Sequence, residues 1–270
     1  MHSMDMTASA IPSEGAAFLA SGSSGNATLV HAAGRGVLID CGISARECRR
    51  RIASAELDGI AIEALLLTHE HSDHLRGVRV MSRTLGIPVY ATRGTLAVAR
   101  ADLADVPGCV EITHDAIFGA AGLRIMAIRT SHDAAEPVGF RIETPQGRVL
   151  GFASDTGVIT PECAEGLAGC HLLAIEANHD VQMLEAGPYP LFLKRRILSE
   201  RGHLSNVRAA DAVRRLGCDR LHTIVGLHLS QHNNLPAIAC DAVSDAVRQT
   251  GLGARVLTAS AAHVLTCSLG

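Results

Sequence analysis

Short apolar runs alternate with polar turns along this chain, and the runs follow two periods. Phe18–Gly22 and Thr28–His31 read as strands around the small-residue turn Ser21-Gly22-Ser23-Ser24-Gly25-Asn26, which predicts a hairpin and close approach of another segment to its loop. Gly36–Asp40 is a third strand ending in Asp40-Cys41-Gly42, and Ser44 is a candidate N-cap for a helix through about Ala53. A strand over Ala64–Leu67 runs into a histidine-rich loop and then a helix to about Leu85. Strands at Ile87–Ala91 and Cys109–Ile112 flank a helix near Gly94–Leu103. Leu123–Ile128, Val138–Thr144 and Arg148–Phe152 are strands, the last two joined by a tight turn at Pro145-Gln146-Gly147. Thereafter the 3.6-residue period dominates, with helices at Tyr189–Glu200, Asn206–Leu216 and Pro236–Thr250. Strands at His171–Ala174, Thr223–Gly226, Arg255–Leu257 and His263–Thr266 complete the pattern. Two similar halves, each with strands and then helices, predict a layered sandwich rather than a doubly wound sheet.

Composition narrows the classes. Hydrophobic residues make up 47% and charged residues 19% of 270 positions, enough apolar matter for a substantial core. No apolar run approaches the roughly 20 residues of a membrane span, so no membrane partner is expected. Met1–Glu14 lacks the basic start and apolar centre of a secretory signal and reads as a disordered tail, 1–14, ahead of one domain, 15–270. Eight scattered cysteines without a C-x-x-C pair point to reduced thiols and a cytoplasmic setting. Cys41, next to Asp40, is read as a small buried hydrophobe. A net charge of −3 excludes general attraction to nucleic acid, and no Trp, two Tyr and five Phe offer no broad stacking platform, so any nucleic-acid contact must be local. The single lysine lies in Lys194-Arg195-Arg196, a candidate phosphate contact. No G-x-G-x-x-G follows a strand and no Walker A sequence occurs, which argues against a nucleotide cofactor.

The chemistry concentrates in Thr68-His69-Glu70-His71-Ser72-Asp73-His74, directly after the apolar Leu65–Leu67. Residues two apart in an extended segment share a face, so His69 and His71 can reach one ion. Asp73 and His74 come where the chain turns into a helix and can serve a second. Later strand ends supply further ligands: His132 for the first ion, Asp155 as a bridge, and His228 for the second. Imidazole and carboxylate donors suit zinc, and also manganese or iron.

The order Asp40, His69-x-His71-x-Asp73-His74, His132, Asp155, His228 resembles the metallo-β-lactamase superfamily from Phe18 onward. The resemblance implies an α+β fold, a four-layer αββα sandwich, with two divalent metal ions at one edge and Asp40 orienting the histidine loop. His74 stands where the principal zinc β-lactamases have Arg, and Asp155 where they have Cys, so that activity is not expected. Flavodiiron proteins usually carry Glu at the His71 position, which disfavours a redox di-iron role. Glu176 in Glu176-Ala177-Asn178-His179-Asp180, His203 in Gly202-His203-Leu204-Ser205-Asn206, and Ser230 two beyond His228 are similar to the acidic, H-S/T and H-x-S motifs of ribonuclease Z and the β-CASP nucleases. Ser21–Asn26, Tyr189-Pro190 and His228–Asn234 are closer still to the small WalJ/YycJ nucleases.

These resemblances imply a phosphodiesterase, with DNA favoured as partner and substrate and exonuclease action running 5′ to 3′ on duplex. Hydroxide held between the two cations would attack phosphorus; Glu176, His203 and Asp73 form the catalytic set, with His203 protonating the leaving alkoxide. Lys194, Arg195, Arg196, Ser205, Asn206, Ser230 and Asn233 are the candidate substrate contacts. A thioester or lactone hydrolase of the same fold is the alternative, and a non-catalytic metal-stabilised regulator a further one. No pattern along the chain encodes an oligomeric state.

Overall fold

Residues 13–270 are described by the structure, a computed structural model. The expected tail falls outside them through residue 12, and Glu14 is already the first residue of a strand. The first half runs β1 (Glu14–Ala20), β2 (Ala27–Ala32), β3 (Arg35–Ile39), α1 (Ala45–Ser54), β4 (Ala61–Leu66), α2 (Ser72–Leu75), α3 (Val78–Leu85), β5 (Val89–Thr92), α4 (Arg93–Val98) and β6 (Cys109–Ile112). The second half runs β7 (Ile117–Ala120), β8 (Leu123–Arg129), β9 (Val138–Glu143), β10 (Val149–Ala153), α5 (Pro161–Leu167), β11 (Leu172–Glu176), α6 (Val181–Ala186), α7 (Leu191–Leu198), α8 (Asn206–Leu216), β12 (Thr223–Leu227), α9 (Pro236–Thr250), β13 (Arg255–Thr258) and β14 (Leu265–Ser268).

The strands form two seven-stranded mixed sheets, ordered β14-β1-β2-β3-β4-β5-β6 and β13-β12-β11-β10-β9-β8-β7. Period-two alternation sorts their side chains into layers. Phe18, Ile39 and Leu66 from the first sheet meet Ile125, Phe140 and Leu172 from the second in the central core. The opposite face of the first sheet packs Leu38, Leu65 and Leu67 with Cys48, Ile52 and Met81 of the helices. The outer face of the second packs Leu173 and Ile224 with Leu167, Val213 and Val243. The result is the expected helix–sheet–sheet–helix sandwich. No helix among the described residues is long and apolar enough to cross a membrane.

Parallel strands put their carboxyl ends on one edge, where a crevice forms. β3 and β4 are parallel neighbours, as are β10, β11 and β12. β8 shares the direction of β10 because both are antiparallel to β9. Every strand that precedes a candidate metal or catalytic residue therefore ends on the same side of its sheet.

Local differences from the sequence reading have local causes. The helix expected from Leu75 to Leu85 is broken into α2 and α3 at Gly77, whose missing Cβ would lie 2.1 Å from Ile43 O. Gly42 meets a tighter constraint: a Cβ there would sit 1.6 Å from Asp73 O. The backbone bonds Asn26 N to Asp73 O, Cys41 N to His74 O and Gly77 N to Cys41 O use this closeness to fasten the histidine loop on two sides. The last strand lies two residues beyond its expected start, and α5, α6 and β7 are short elements outside the expected set.

Candidate metal centre

Asp40, Asp155 and His228 follow β3, β10 and β12, and all three adopt left-handed backbone, with φ of 56°, 50° and 54°. For residues other than glycine this conformation costs energy and is found where the fold over-determines it, often at functional sites. The bend turns each side chain off its strand and over the sheet edge.

Asp40 is buried and organises the histidine loop. Its Oδ1 accepts from Thr68 N at 2.8 Å, and its Oδ2 accepts from Thr68 Oγ1 at 2.9 Å and from His74 Nδ1 at 2.8 Å. Since the Thr68 hydroxyl proton is committed to Asp40, Thr68 Oγ1 accepts from His69 Nδ1, 3.0 Å away. That network assigns the His69 tautomer and leaves a bare lone pair on Nε2. His69 Nε2 is buried with no hydrogen-bond partner. A buried acceptor without a donor is costly in an empty protein and is what a metal ligand requires. The donor set around it is imidazole and carboxylate, which fits zinc, manganese or iron. We expect Asp40→Asn, whose one accepting oxygen cannot serve both Thr68 N and the shared position of Thr68 Oγ1 and His74 Nδ1, to weaken metal binding by about 10–100-fold in a chelator competition; unchanged affinity would remove Asp40 from this role.

The ligand atoms gather as two triads. His69, His71 and His132 form one; Asp73, His74 and His228 form the other. Asp155 joins the two: it clusters with His69 of the first triad and His74 of the second, its Oδ2 3.2 Å from His74 Nε2 and its Oδ1 3.6 Å from His228 Nε2. His132 donates from Nδ1 to Gly202 O at 3.0 Å, which turns Nε2 toward the triad. Burial drives the His69 pKa well down. Burial also opposes charge on His74 and His228, yet Asp155 with Asp40 raises the first, and Asp155 with Asp73 and Glu176 lifts the second to about 10. These carboxylates favour positive charge at the positions where cations would bind.

Beside the triads, Glu176 at the end of β11 is fully buried. Its Oε2 accepts from Thr156 N at 2.9 Å and Leu204 N at 3.0 Å, and its Oε1 accepts from His203 Nδ1 at 2.8 Å. Burial by itself would raise this carboxyl; His203 and His228 outweigh it and hold the pKa down to about 2. For His203, burial lowers the pKa, but Glu176 and Asp155 carry it above its ordinary value. His203 lines a pocket of about 170 Å³ with Tyr189, Leu193, Arg196 and Ser230.

The substrate contacts expected from sequence separate into two groups. Arg196 and Ser230 line the pocket, and Arg196 pairs with Asp133 at 2.5 Å. Lys194 lies about 200° around α7 from Arg196 and donates to Glu185 O at 2.7 Å, so the basic triplet is not one face. Arg195 is exposed. Ser205, Asn206 and Asn233 are corrected to scaffold roles. Ser205 caps α8 by accepting from Arg208 N, Asn206 is 2% exposed with its amide paired to Asn234, and Asn233 is buried behind Ser230 with its backbone N donating to Ser230 Oγ.

Several contributors escaped the sequence reading. Asn178 donates to His228 O at 2.8 Å and lines the pocket, Ser21 Oγ accepts from His228 N at 2.8 Å, and Asn26 Nδ2 lies 3.1 Å from His74 Nε2. The Gly/Ser turn signalled a close approach, but only the folded chain shows that the approaching segments are the two ligand loops.

Comparison with known proteins gives matches along most of the chain. A family profile described as Beta-lactamase superfamily domain matches residues 35–228. Exodeoxyribonuclease YycJ of Bacillus anthracis is 34% identical over 239 residues, 87% of this chain and 89% of its own. Exodeoxyribonuclease WalJ of Streptococcus pneumoniae is 33% identical over 244 residues, 88% of this chain and 90% of its own. Among solved structures, the metallo-β-lactamase fold protein YhfI of Bacillus subtilis superposes with a TM-score of 0.68 at 15% identity, covering 94% of this chain and 100% of that one.

Proposed function

The chain belongs to the metallo-β-lactamase superfamily and is a metal-dependent hydrolase of the phosphodiesterase and nuclease kind, and we propose that it is a DNA exonuclease working 5′ to 3′ on duplex ends with two zinc ions. The observation that carries this reading is the His203–Glu176 pair, 2.8 Å apart, with His203 lining the pocket and its Nδ1 3.7 Å from Asp155 Oδ1. A phosphodiester leaves as an alkoxide, a strong base that needs a proton as its bond breaks. A thioester leaves as a thiolate, stable near neutral pH and in no need of an acid. An imidazole held charged against a buried carboxylate therefore supports phosphodiester chemistry over thioester hydrolysis.

When bound at the two triads, divalent ions supply Lewis-acid charge and a water acidic enough to attack at neutral pH. The chain's own residues do the rest. Glu176 fixes the His203 ring through Nδ1 and stabilises its imidazolium form, so that Nε2–H is the proton offered to the leaving oxygen. Arg196 and Ser230 offer donors to the phosphate from the pocket wall, while Tyr189, Leu193 and Ile197 keep the leaving-group side apolar. Two relatives named as exodeoxyribonucleases, matched over nearly their whole lengths, support DNA over RNA. Eight unpaired cysteines, five of them buried, support a reducing, cytoplasmic setting.

The test is a side-by-side assay of the metal-loaded protein on 5′-phosphorylated duplex DNA, single-stranded DNA, RNA, bis-p-nitrophenyl phosphate and S-lactoylglutathione. The expected outcome is the highest kcat/KM on duplex DNA, with nucleotides released from 5′ ends. Turnover confined to the thioester would overturn the reading.

A further inference from the structure

Five phenylalanines and two tyrosines are the whole Phe, Tyr and Trp inventory of the chain. Phe18, Phe140 and Phe152 are buried, and Tyr90, Phe118 and Tyr189 are partly covered. Phe192 alone is exposed, at 74%, and its neighbour Leu191 is 63% exposed. Burying such a ring is worth about 1.5–3 kcal/mol, which the folded chain forgoes here.

Phe192 lies in the first turn of α7, whose Leu193, Arg196 and Ile197 line the pocket that holds His203. Residues four apart share a helix face, so Phe192 stands one turn above Arg196, on the Tyr189 side of that pocket. Arg195, also exposed, is its i+3 neighbour and makes no ion pair among the described residues. The pocket is about 170 Å³, and its wall includes the first turn of α7 through Leu193. A base attached to a sugar seated there lies beside that turn. A flat apolar ring flanked by cations complements a nucleobase on an anionic backbone.

Resting on the nuclease reading above, we propose that Phe192 is a stacking platform for the nucleobase on the leaving-group side of the scissile phosphate. The acid His203 faces the same pocket, and it is this coincidence that fixes the side.

The test uses metal-loaded enzyme and duplex DNA carrying 2-aminopurine at one terminal position, followed by stopped-flow fluorescence and steady-state cleavage. Wild-type protein should quench the probe on binding, before cleavage. Phe192→Ala should abolish that quenching and raise KM for DNA by roughly 5- to 100-fold, lowering the ratio of kcat/KM for DNA to that for bis-p-nitrophenyl phosphate. Phe192→Trp should restore both; Phe192→Leu, apolar without a ring, should restore neither. An Ala variant with wild-type quenching and KM, or a Leu variant that rescues as Trp does, overturns the platform and leaves the nuclease reading standing. A wild-type protein that cleaves neither DNA nor RNA removes the nuclease reading itself. Loss of a dimer in light scattering, with KM for DNA unchanged, assigns this face to a second copy of the chain and overturns the proposal.

Discussion

His203→Ala is expected to lower kcat for DNA cleavage by about 10²–10⁴-fold while the metal content measured by ICP-MS stays at its wild-type value. The separation of the two readouts follows from the geometry. The His203 ring bonds through Nδ1 to Glu176, and Glu176 is tied to the backbone at Thr156 and Leu204, so removing the ring leaves the triads' own supports in place. Asp40 still holds Thr68 and His74, and Gly202 O still orients His132. What disappears is the proton donor at the leaving oxygen. A substrate with a p-nitrophenolate leaving group needs that proton less, so bis-p-nitrophenyl phosphate should lose much less activity than DNA. Equal loss on both substrates, or parallel loss of metal, would remove His203 from the acid role.

Chelating the metals should abolish turnover and lower Tm by roughly 16–32 °C. Each ion that binds only the folded chain, at about a thousand times its Kd, adds about 4 kcal/mol, so two add about 8, and a chain of this size shifts by about 2–4 °C per kcal/mol. Asp73, Asp155 and Glu176 converge on one crevice, His69 Nε2 lacks any partner, and three strand ends hold strained backbone around them. Bound cations relieve the first two costs at once. Because carboxylates hold protons on His74 and His228, metal binding must displace them, and the stabilisation should weaken as pH falls. Zinc or manganese added back at two ions per chain should restore both Tm and activity. Turnover that persists in chelator with an unmoved Tm would count against a metal centre.

The histidine loop was legible before folding because its ligands are close in sequence and follow an apolar strand, where period-two geometry already aims His69 and His71 together. His132, Asp155 and His228 were legible for a related reason: each lies just past a strand, and parallel strands end on a shared edge. The substrate contacts were less so. Ser205, Asn206 and Asn233 sit within three residues of His203 or Ser230, yet all three turn inward: Ser205 caps a helix, Asn206 pairs with the Asn234 amide, and Asn233 is buried against Ser230. Sequence proximity does not distinguish an amide that faces substrate from one that closes the scaffold beneath it.

Composition likewise argued against stacking, since so few aromatic residues are present. A count is blind to position, and the fold leaves its one exposed ring on the helix that walls the His203 pocket. The sequence by itself determined the layered fold and the ligand types, since strand period and residue chemistry are local properties. Only the tertiary structure decided which polar groups remain free and where Phe192 stands. Those depend on packing between segments far apart in the chain, which no local pattern records.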